Sequence, residues 1–400
     1  MIWQTVLALV IGILAGIITG LTPGIHVNLV SVFILAIHRK LLAFFTLMDI
    51  AVFLVAMSIT HVFLDAVPSI YLGAPDSNTA LGVLPGHRYL LQGNGYMAIK
   101  LTVVGNYFAL LLSLALFPIA IALIGEIYDY IVEYIGYFLL VILVFMVIRE
   151  KNLIWAIIVV LLSGLLGMIV LDMPMLEDPL FPMLSGLFGI STLLISLNDN
   201  QEIPPQKTSS KIDIDWKKGV KALLSGQFSG FITAVLPGIG ASTAAVISMQ
   251  ITRKLGDHGF MILMGAIGMV NFVLSLATYY TISKARNGVV VALAEMMGRM
   301  EMNDIMLMLA SALIAASIGV WLSLAVAKVF SSLMTKMPYK KVVWTIIAFI
   351  ALIGLALTGI LGLVVMIVST AIGLIPAIKK ISRTHAMACL TVPVMVYFLV

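Results

Sequence analysis

The sequence predicts an all-α polytopic membrane protein built from two inverted-topology repeats with broken or re-entrant helices. Three observations carry that expectation. First, 62% of the 400 residues are apolar and only 10% are charged, against roughly 25% charged in an ordinary soluble domain. So small a charged complement cannot cover a water-facing globule of this size. Second, the apolar residues gather into many separate stretches, several near the roughly 20 residues that a bilayer span needs. Third, a Pro-Gly break recurs at corresponding places in the two halves of the chain. A soluble enzyme, a disordered chain and a nucleic-acid reader are thereby excluded. The net charge of +5 is then a topology signal rather than a nucleic-acid footprint. Cys389 stands alone, which leaves no internal disulfide and no thiolate metal cluster.

Taken in order, the chain opens on an apolar segment at 6–20. It has neither a basic stretch ahead of it nor a small-residue cleavage site, so it is read as retained. It ends at Pro23-Gly24. Further apolar runs lie at 25–37, 47–64, 97–123, 127–148, 153–171 and 180–197, each closed by polar, proline or glycine residues. Residues 198–217 are different in kind, with Pro204-Pro205 and a Ser/Thr/Lys stretch, and read as a cytoplasmic linker. The linker separates a first transmembrane repeat, 1–197, from a second, 218–400. The second half has runs at 219–236, 241–252, 259–279, 288–298, 303–333, 342–359, 361–378 and 384–400.

The two halves share landmarks. Gly16 and Gly20 precede Pro23-Gly24, as Gly226 and Gly230 precede Pro237-Gly238, and the two prolines lie 214 positions apart. Close to that offset, the polar break around Pro75 to Thr79 has a counterpart in the one at Ser283 to Gly288. Loop charge relates the halves to each other. Lys207, Lys211, Lys217, Lys218 and Lys221 place the linker in the cytoplasm. Counting back from it, Asp172/Glu177/Asp178 falls outside, Arg149-Glu150-Lys151 inside, and Glu126/Asp129 outside. Their counterparts invert in sign: Lys336/Lys340/Lys341 against Glu126/Asp129, and Lys379/Lys380/Arg383 against the 172–178 loop. Arg39-Lys40 and Arg253-Lys254 break the pattern by carrying the same sign. Oppositely inserted repeats are a signature of secondary transporters.

The breaks supply the candidate site. Pro23 and Pro237 each remove a backbone donor, and Gly24 and Gly238 accept dihedrals other residues avoid, so one helix stops and another starts within apolar sequence. Irregular backbone at that depth must be buried in protein or line a wet cavity. The restarting helices expose N–H groups at Gly24, Ile25, His26 and Asn28, and at Gly238, Gly240, Ser242 and Thr243. The positive end of a helix dipole lies behind each set, which suits a carboxylate or a phosphate. The alternative is a proline kink against a neighbouring helix. The second breaks add Asp76, Ser77, Asn78 and Thr79 behind Pro75, and Lys284, Arg286 and Asn287 in the other half. Charges that dip into a bilayer are costly and mark function, whereas the same residues in aqueous loops report only topology. Asp76 and Asp65 are candidates for ion coupling, Asp65 with a structural pairing to His61 or Arg88 as the other reading.

Enzyme signatures are missing. The six histidines show no metal-ligand spacing, Ser229 does not sit in G-x-S-x-G, and there is no nucleotide-binding loop. No metal or organic cofactor is expected, only Na⁺ or H⁺ as a coupling ion. An intramembrane enzyme and a channel remain the readings of other classes.

The run Gly230-Phe-Ile-Thr-Ala-Val-Leu-Pro237-Gly238-Ile-Gly240-Ala-Ser-Thr243 resembles the Pro-Gly signature of the large membrane subunit of the tripartite tricarboxylate transporters. Ser69 to Gly82, Gly93 to Ala98, and Pro182 to Ser191 are similar to further segments of that family, in the same order. Asn271 alone stands where the family carries an acidic, Asn-rich segment, and Lys284-Ala-Arg286-Asn287 replaces a Gly-Pro-Gly-Ser-like tip. The resemblance implies a permease with an anion site between its repeats. A similar paired layout occurs in polyprenyl-phosphate transporters, which keeps a lipid phosphate in play. The expected protein is a secondary-active permease of the cytoplasmic membrane for a carboxylate-type organic anion, working by alternating access. Its expected partners are the bilayer, a small anionic substrate or lipid phosphate, and no nucleic acid. A second copy of the chain and the accessory subunits of the tripartite systems are left open.

Overall fold

The computed structural model describes residues 2–22, 27–73, 83–176, 179–198, 204–209, 212, 215–236, 241–252, 255–285, 287–334 and 339–400. Every regular element among them is helical. In the first half these are α1 (Ile2–Leu21), α2 (Val27–Leu41), α3 (Leu47–Leu64), α4 (Ala66–Tyr71), α5 (Val83–Leu91), α6 (Gly95–Val132), α7 (Ile135–Ile148), α8 (Leu153–Leu171), α9 (Leu180–Leu184) and α10 (Ser191–Asn198). The second half holds α11 (Trp216–Val235), α12 (Ala241–Thr252), α13 (Gly256–Ile282), α14 (Gly288–Met297), α15 (Met302–Met334), α16 (Tyr339–Ile378) and α17 (Ala388–Leu399). Seven helical stretches among the described residues are long and apolar enough to cross a membrane. The chain is an integral, multi-pass membrane protein.

Local chemistry sets the element ends. Thr46 and Asp49 form a reciprocal cap at the start of α3, the Thr46 hydroxyl oxygen accepting from the Asp49 amide at 3.2 Å and the Asp49 carboxylate from the Thr46 amide at 2.9 Å. That satisfies two of the donors a helix start leaves orphaned. The Thr5 hydroxyl also donates to Asp49 at 2.6 Å, tying α1 to the same corner. Pro68 has no N–H to give the Leu64 carbonyl and its ring crowds that carbonyl, so the span beginning at Leu47 breaks at Asp65 and resumes as α4.

Helix α16 covers 40 residues, about 60 Å at 1.5 Å per residue and twice a bilayer core. It is two spans joined at Gly359, whose φ of 65° and ψ of −165° fall in a region open essentially to glycine alone. The sequence places that joint correctly. Nothing lies within 4 Å of where a Cβ on Gly359 would sit, so Gly359→Ala isolates backbone strain from packing. We expect it to destabilise the protein by about 1–3 kcal/mol, read as a lowered midpoint of thermal unfolding in detergent.

One boundary and one internal feature differ from the sequence reading. Helix α6 runs unbroken to Val132, so Glu126 and Asp129 sit on its last turns and the bend falls at residues 133–134. The 180–197 run contains a π-helical turn, Ser185–Ile190.

The helices pack closely because glycines line the contacts. A Cβ on Gly12 would lie 2.5 Å from the Phe53 carbonyl oxygen and one on Gly16 2.6 Å from that of Met57, which brings α1 against α3. Gly226 and Gly230 bring α11 against α13 in the same way, facing Ala266 and Val270. Both pairs run parallel. Small residues four apart let membrane helices approach to backbone distance. The two halves also interlock. Helix α6 lies parallel to α13, with Gly105 against Ile262 and Gly125 against Thr281. Helix α15 lies parallel to α3–α4, the Ser323 hydroxyl donating to the Phe63 carbonyl at 2.7 Å and the Tyr71 hydroxyl to that of Ala327 at 3.2 Å. Helices α3–α4 run against α6, since the Asn106 amide reaches the Val62 carbonyl (3.0 Å) while Tyr71 lies beside Gly95. Thus α3 and α13 point in opposite directions.

Within the polar stretch between the halves, Gln206 and Lys207 are docked. Gln206 accepts from the Gly95 amide and donates to the Leu90 carbonyl, both at 2.9 Å, and the Lys207 amide donates to Gly93 at 2.8 Å.

Candidate functional site

Most of the sequence-selected residues fall outside the described set: Pro23, Gly24, Ile25, His26, Pro75, Asp76, Ser77, Asn78, Thr79, Pro237, Gly238, Gly240 and Arg286. The helices on either side of these breaks are described, and they double back. After the first break, α2 returns so that Phe44 accepts a hydrogen bond from the Gln4 side chain at 3.1 Å, beside the start of α1. After the third, α12 comes back along α11, its Ser248 hydroxyl paired with Ser229 and donating to the Ser225 carbonyl at 3.3 Å. Ser242 and Thr243 occupy the first turn of α12; their side chains are outside the described set.

The one meeting of breaks within the described residues joins the two halves. Helix α2 lies against α14, and a Cβ on Gly288 would stand 2.7 Å from both Cγ and Oδ1 of Asn28. The start of the helix after the first break of one half therefore touches the second break of the other. Asn287 belongs to this junction but has a structural duty as well. Its side-chain oxygen accepts from the Val290 amide at 2.9 Å and caps α14, a position where Asn is among the preferred residues. Ser283, at φ 56°, ends α13 in the left-handed conformation. Thr281 donates its hydroxyl to the Ala277 carbonyl at 2.8 Å, within its own helix.

Lys284 is exposed and turns toward α6. Its Nζ is 3.2 Å from the Tyr128 hydroxyl and 4.5 Å from the ring centroid, a cation–π placement on a half-wet surface. Asp65 is 6% exposed at the α3–α4 joint, well inside the Leu47–Tyr71 span. Arg88 engages Asp257 at 3.0 Å, and His61 meets the Thr19 hydroxyl at 3.2 Å.

The sequence reading counts Arg383 among the loop cations that report topology, and the structure gives it a packing role as well. Arg383 is half-buried, and its guanidinium donates to the Thr192 hydroxyl of α10. The neighbouring loop is just as tightly held: the Glu150 carboxylate accepts from the Ser382 amide and pairs with His385, both at 3.0 Å. Burial raises the Glu150 carboxyl pKa, but these contacts and the Lys151 amide outweigh it and hold the group below its ordinary range. The loops at 149–151 and 379–385, both read as cytoplasmic, thus lie against each other. No signal in the sequence separates Arg383 from Lys379 and Lys380, because its partner comes from the other half.

A sequence profile described as the Tripartite tricarboxylate transporter TctA family matches residues 6–388. An uncharacterized protein of Methanocaldococcus jannaschii is 29% identical over 402 residues, covering 98% of each chain. No solved structure matches. Nearly the whole chain falls within the match, Pro-Gly breaks included, and its many apolar helices are those of a membrane transport component. The chain belongs to the tripartite tricarboxylate transporter TctA family.

Proposed function

We propose that this chain is the permease of a secondary transport system. On this reading it moves a small carboxylate-type anion by alternating access, driven by a cation gradient. The observation that carries the reading is the contact of Asn28 with Gly288, where a break in one half meets a break in the other. Discontinuous helices meeting between repeats are where transporters bind substrate. The opposite run of α3 and α13, matched elements of the two halves, supports oppositely inserted repeats. Helix starts at Gly24–Asn28 and Gly238–Thr243 supply N–H donors, Ser77, Asn78 and Thr79 supply neutral groups, and Arg286 supplies charge. Family membership supports a carboxylate over a lipid phosphate, and accessory subunits as partners of the permease.

Exchange of labelled citrate in proteoliposomes, with and without accessory subunits, tests the proposal. Saturable counterflow is expected, and Arg286→Ala should weaken it by tenfold or more, the loss of one charge-assisted contact of about 1.5–3 kcal/mol. Lys340→Ala, an exposed change, serves as the control and should leave exchange unchanged. Ungated conductance would mark a channel, and a chemically altered substrate an enzyme.

A further inference from the structure

We infer that a Na⁺ ion binds where the two halves of the protein meet, between α3–α4 and α6 of the first half and α13 of the second, at a cavity lined by Asp65, Ser69, Thr102 and Asn106. The cavity is about 20 Å³, room for one water-sized guest. Its polar lining is the Asp65 carboxyl, the Ser69 and Thr102 hydroxyls and the Asn106 amide. Asn106 is the decisive member. It is fully buried, and its amide nitrogen is spent on the Val62 carbonyl at 3.0 Å, which aims Oδ1 away from that bond. Among the described residues Oδ1 has no hydrogen-bond partner. A buried acceptor left unmade is costly, so an oxygen held this way calls for a donor or a cation.

The rest of the lining favours the cation. The Thr102 hydroxyl gives its proton to the Ala98 carbonyl at 2.9 Å, which leaves its oxygen an acceptor toward any guest of the cavity that Thr102 lines. Asp65 adds a carboxylate, and among the described residues no lysine, arginine or histidine lines the cavity. The donor set is therefore all oxygen, which suits hard cations rather than transition metals. One carboxylate matches one positive charge, whereas divalent sites draw on more. The break that Pro68 imposes places Asp65 at the joint, and Gly265 and Gly268 of α13 leave the space open. A Cβ on Gly265 would come within 3.0 Å of Asn106 Oδ1.

As a coupling site this rests on the carrier reading above; as a binding site it stands without it. The test is equilibrium binding of ²²Na⁺ to the purified full-length protein in lipid nanodiscs, with no anion present. One saturable ion per chain is expected, displaced by unlabelled Na⁺ and not by choline. Asn106→Ala and Asp65→Asn should each weaken binding by tenfold or more, and Lys340→Ala should leave it unchanged. If either of the first two fails to fold, Thr102→Ala and Ser69→Ala replace them, each with a smaller loss expected. Absence of saturable ²²Na⁺ binding by the folded wild-type protein overturns the site and leaves a buried water as the guest. Unaltered binding in folded Asn106→Ala overturns it too. Intact Na⁺ binding with no anion transport would count against the carrier alone, and intact transport without Na⁺ binding against this site alone.

Discussion

Gly105→Leu is expected to abolish recovery of folded protein, and Gly105→Ala to lower it severely. Helices α6 and α13 meet backbone to backbone at this point. A Cβ on Gly105 would lie 2.1 Å from the Ile262 carbonyl oxygen and 2.9 Å from its carbon, and one on Gly265 would lie 2.3 Å from the Thr102 carbonyl oxygen. The atoms in the way are main chain, so no rotamer change clears them and the helices must separate. Overpacking of this kind costs about 1–3 kcal/mol for modest insertions, and separating the axes also opens gaps along the cross-half interface. The comparison that isolates the cause is Gly226→Ala. There the obstacle is the Ala266 Cβ at 2.4 Å, a side chain, so Ala266→Gly should restore much of the loss. No side-chain truncation should rescue Gly105→Ala. Gly219→Ala, with nothing within 4 Å, should be silent. Size-exclusion profiles and thermal midpoints of the detergent-solubilised variants decide the matter. Wild-type recovery of Gly105→Leu would mean that the two helices do not meet here.

What the sequence shows of this fold is its punctuation. Helix α12 was legible at both ends, and the joint at Gly359 was legible between two apolar runs, because proline and glycine act on the backbone of their own residue. The continuation of α6 past Glu126 was not. A carboxylate ends an apolar run on paper, whereas a helix longer than the bilayer carries its charges beyond it without a bend. The site was legible only as a set of breaks. Asn28 could be chosen because it follows Pro23-Gly24, but its contact with Gly288 is a fact of tertiary packing. Of the cavity lining only Asp65 was chosen from the sequence; Asn106 was missed, although an amide in the middle of an apolar run is a signal that could have found it. Its meaning depends on Val62 taking the nitrogen and leaving the oxygen, which sequence spacing does not encode. Arg383 fails for the same reason: a loop cation is solvated or held according to whether a partner such as Thr192 arrives from a distant segment.

Gly288→Val is expected to remove anion transport while leaving the protein folded. The position differs from Gly105 in what stands opposite it. A Cβ here meets the Asn28 side chain, at 2.7 Å from Cγ and Oδ1 and 2.9 Å from Cβ, and Asn28 is exposed rather than sunk in the core. Rotation of the side chain carries Cγ and Oδ1 aside, and Cβ clears by a small shift of an exposed residue, so the cost falls on the junction and not on the helix bundle. The displaced group is the one that the proposed site needs held, because a misplacement of about 1 Å in a binding constellation costs on the order of a hundredfold. Gly288→Ala should therefore reduce exchange of labelled citrate at least tenfold, and Gly288→Val should abolish it, with both thermal midpoints close to wild type. Asn28→Gly gives the complementary measurement. It removes Cβ, Cγ and Oδ1 together, so the double variant Asn28→Gly/Gly288→Ala should regain packing at the junction without regaining transport. If steric crowding alone were at fault, the double variant would transport like the wild type, and the junction would be a packing contact rather than part of the anion path.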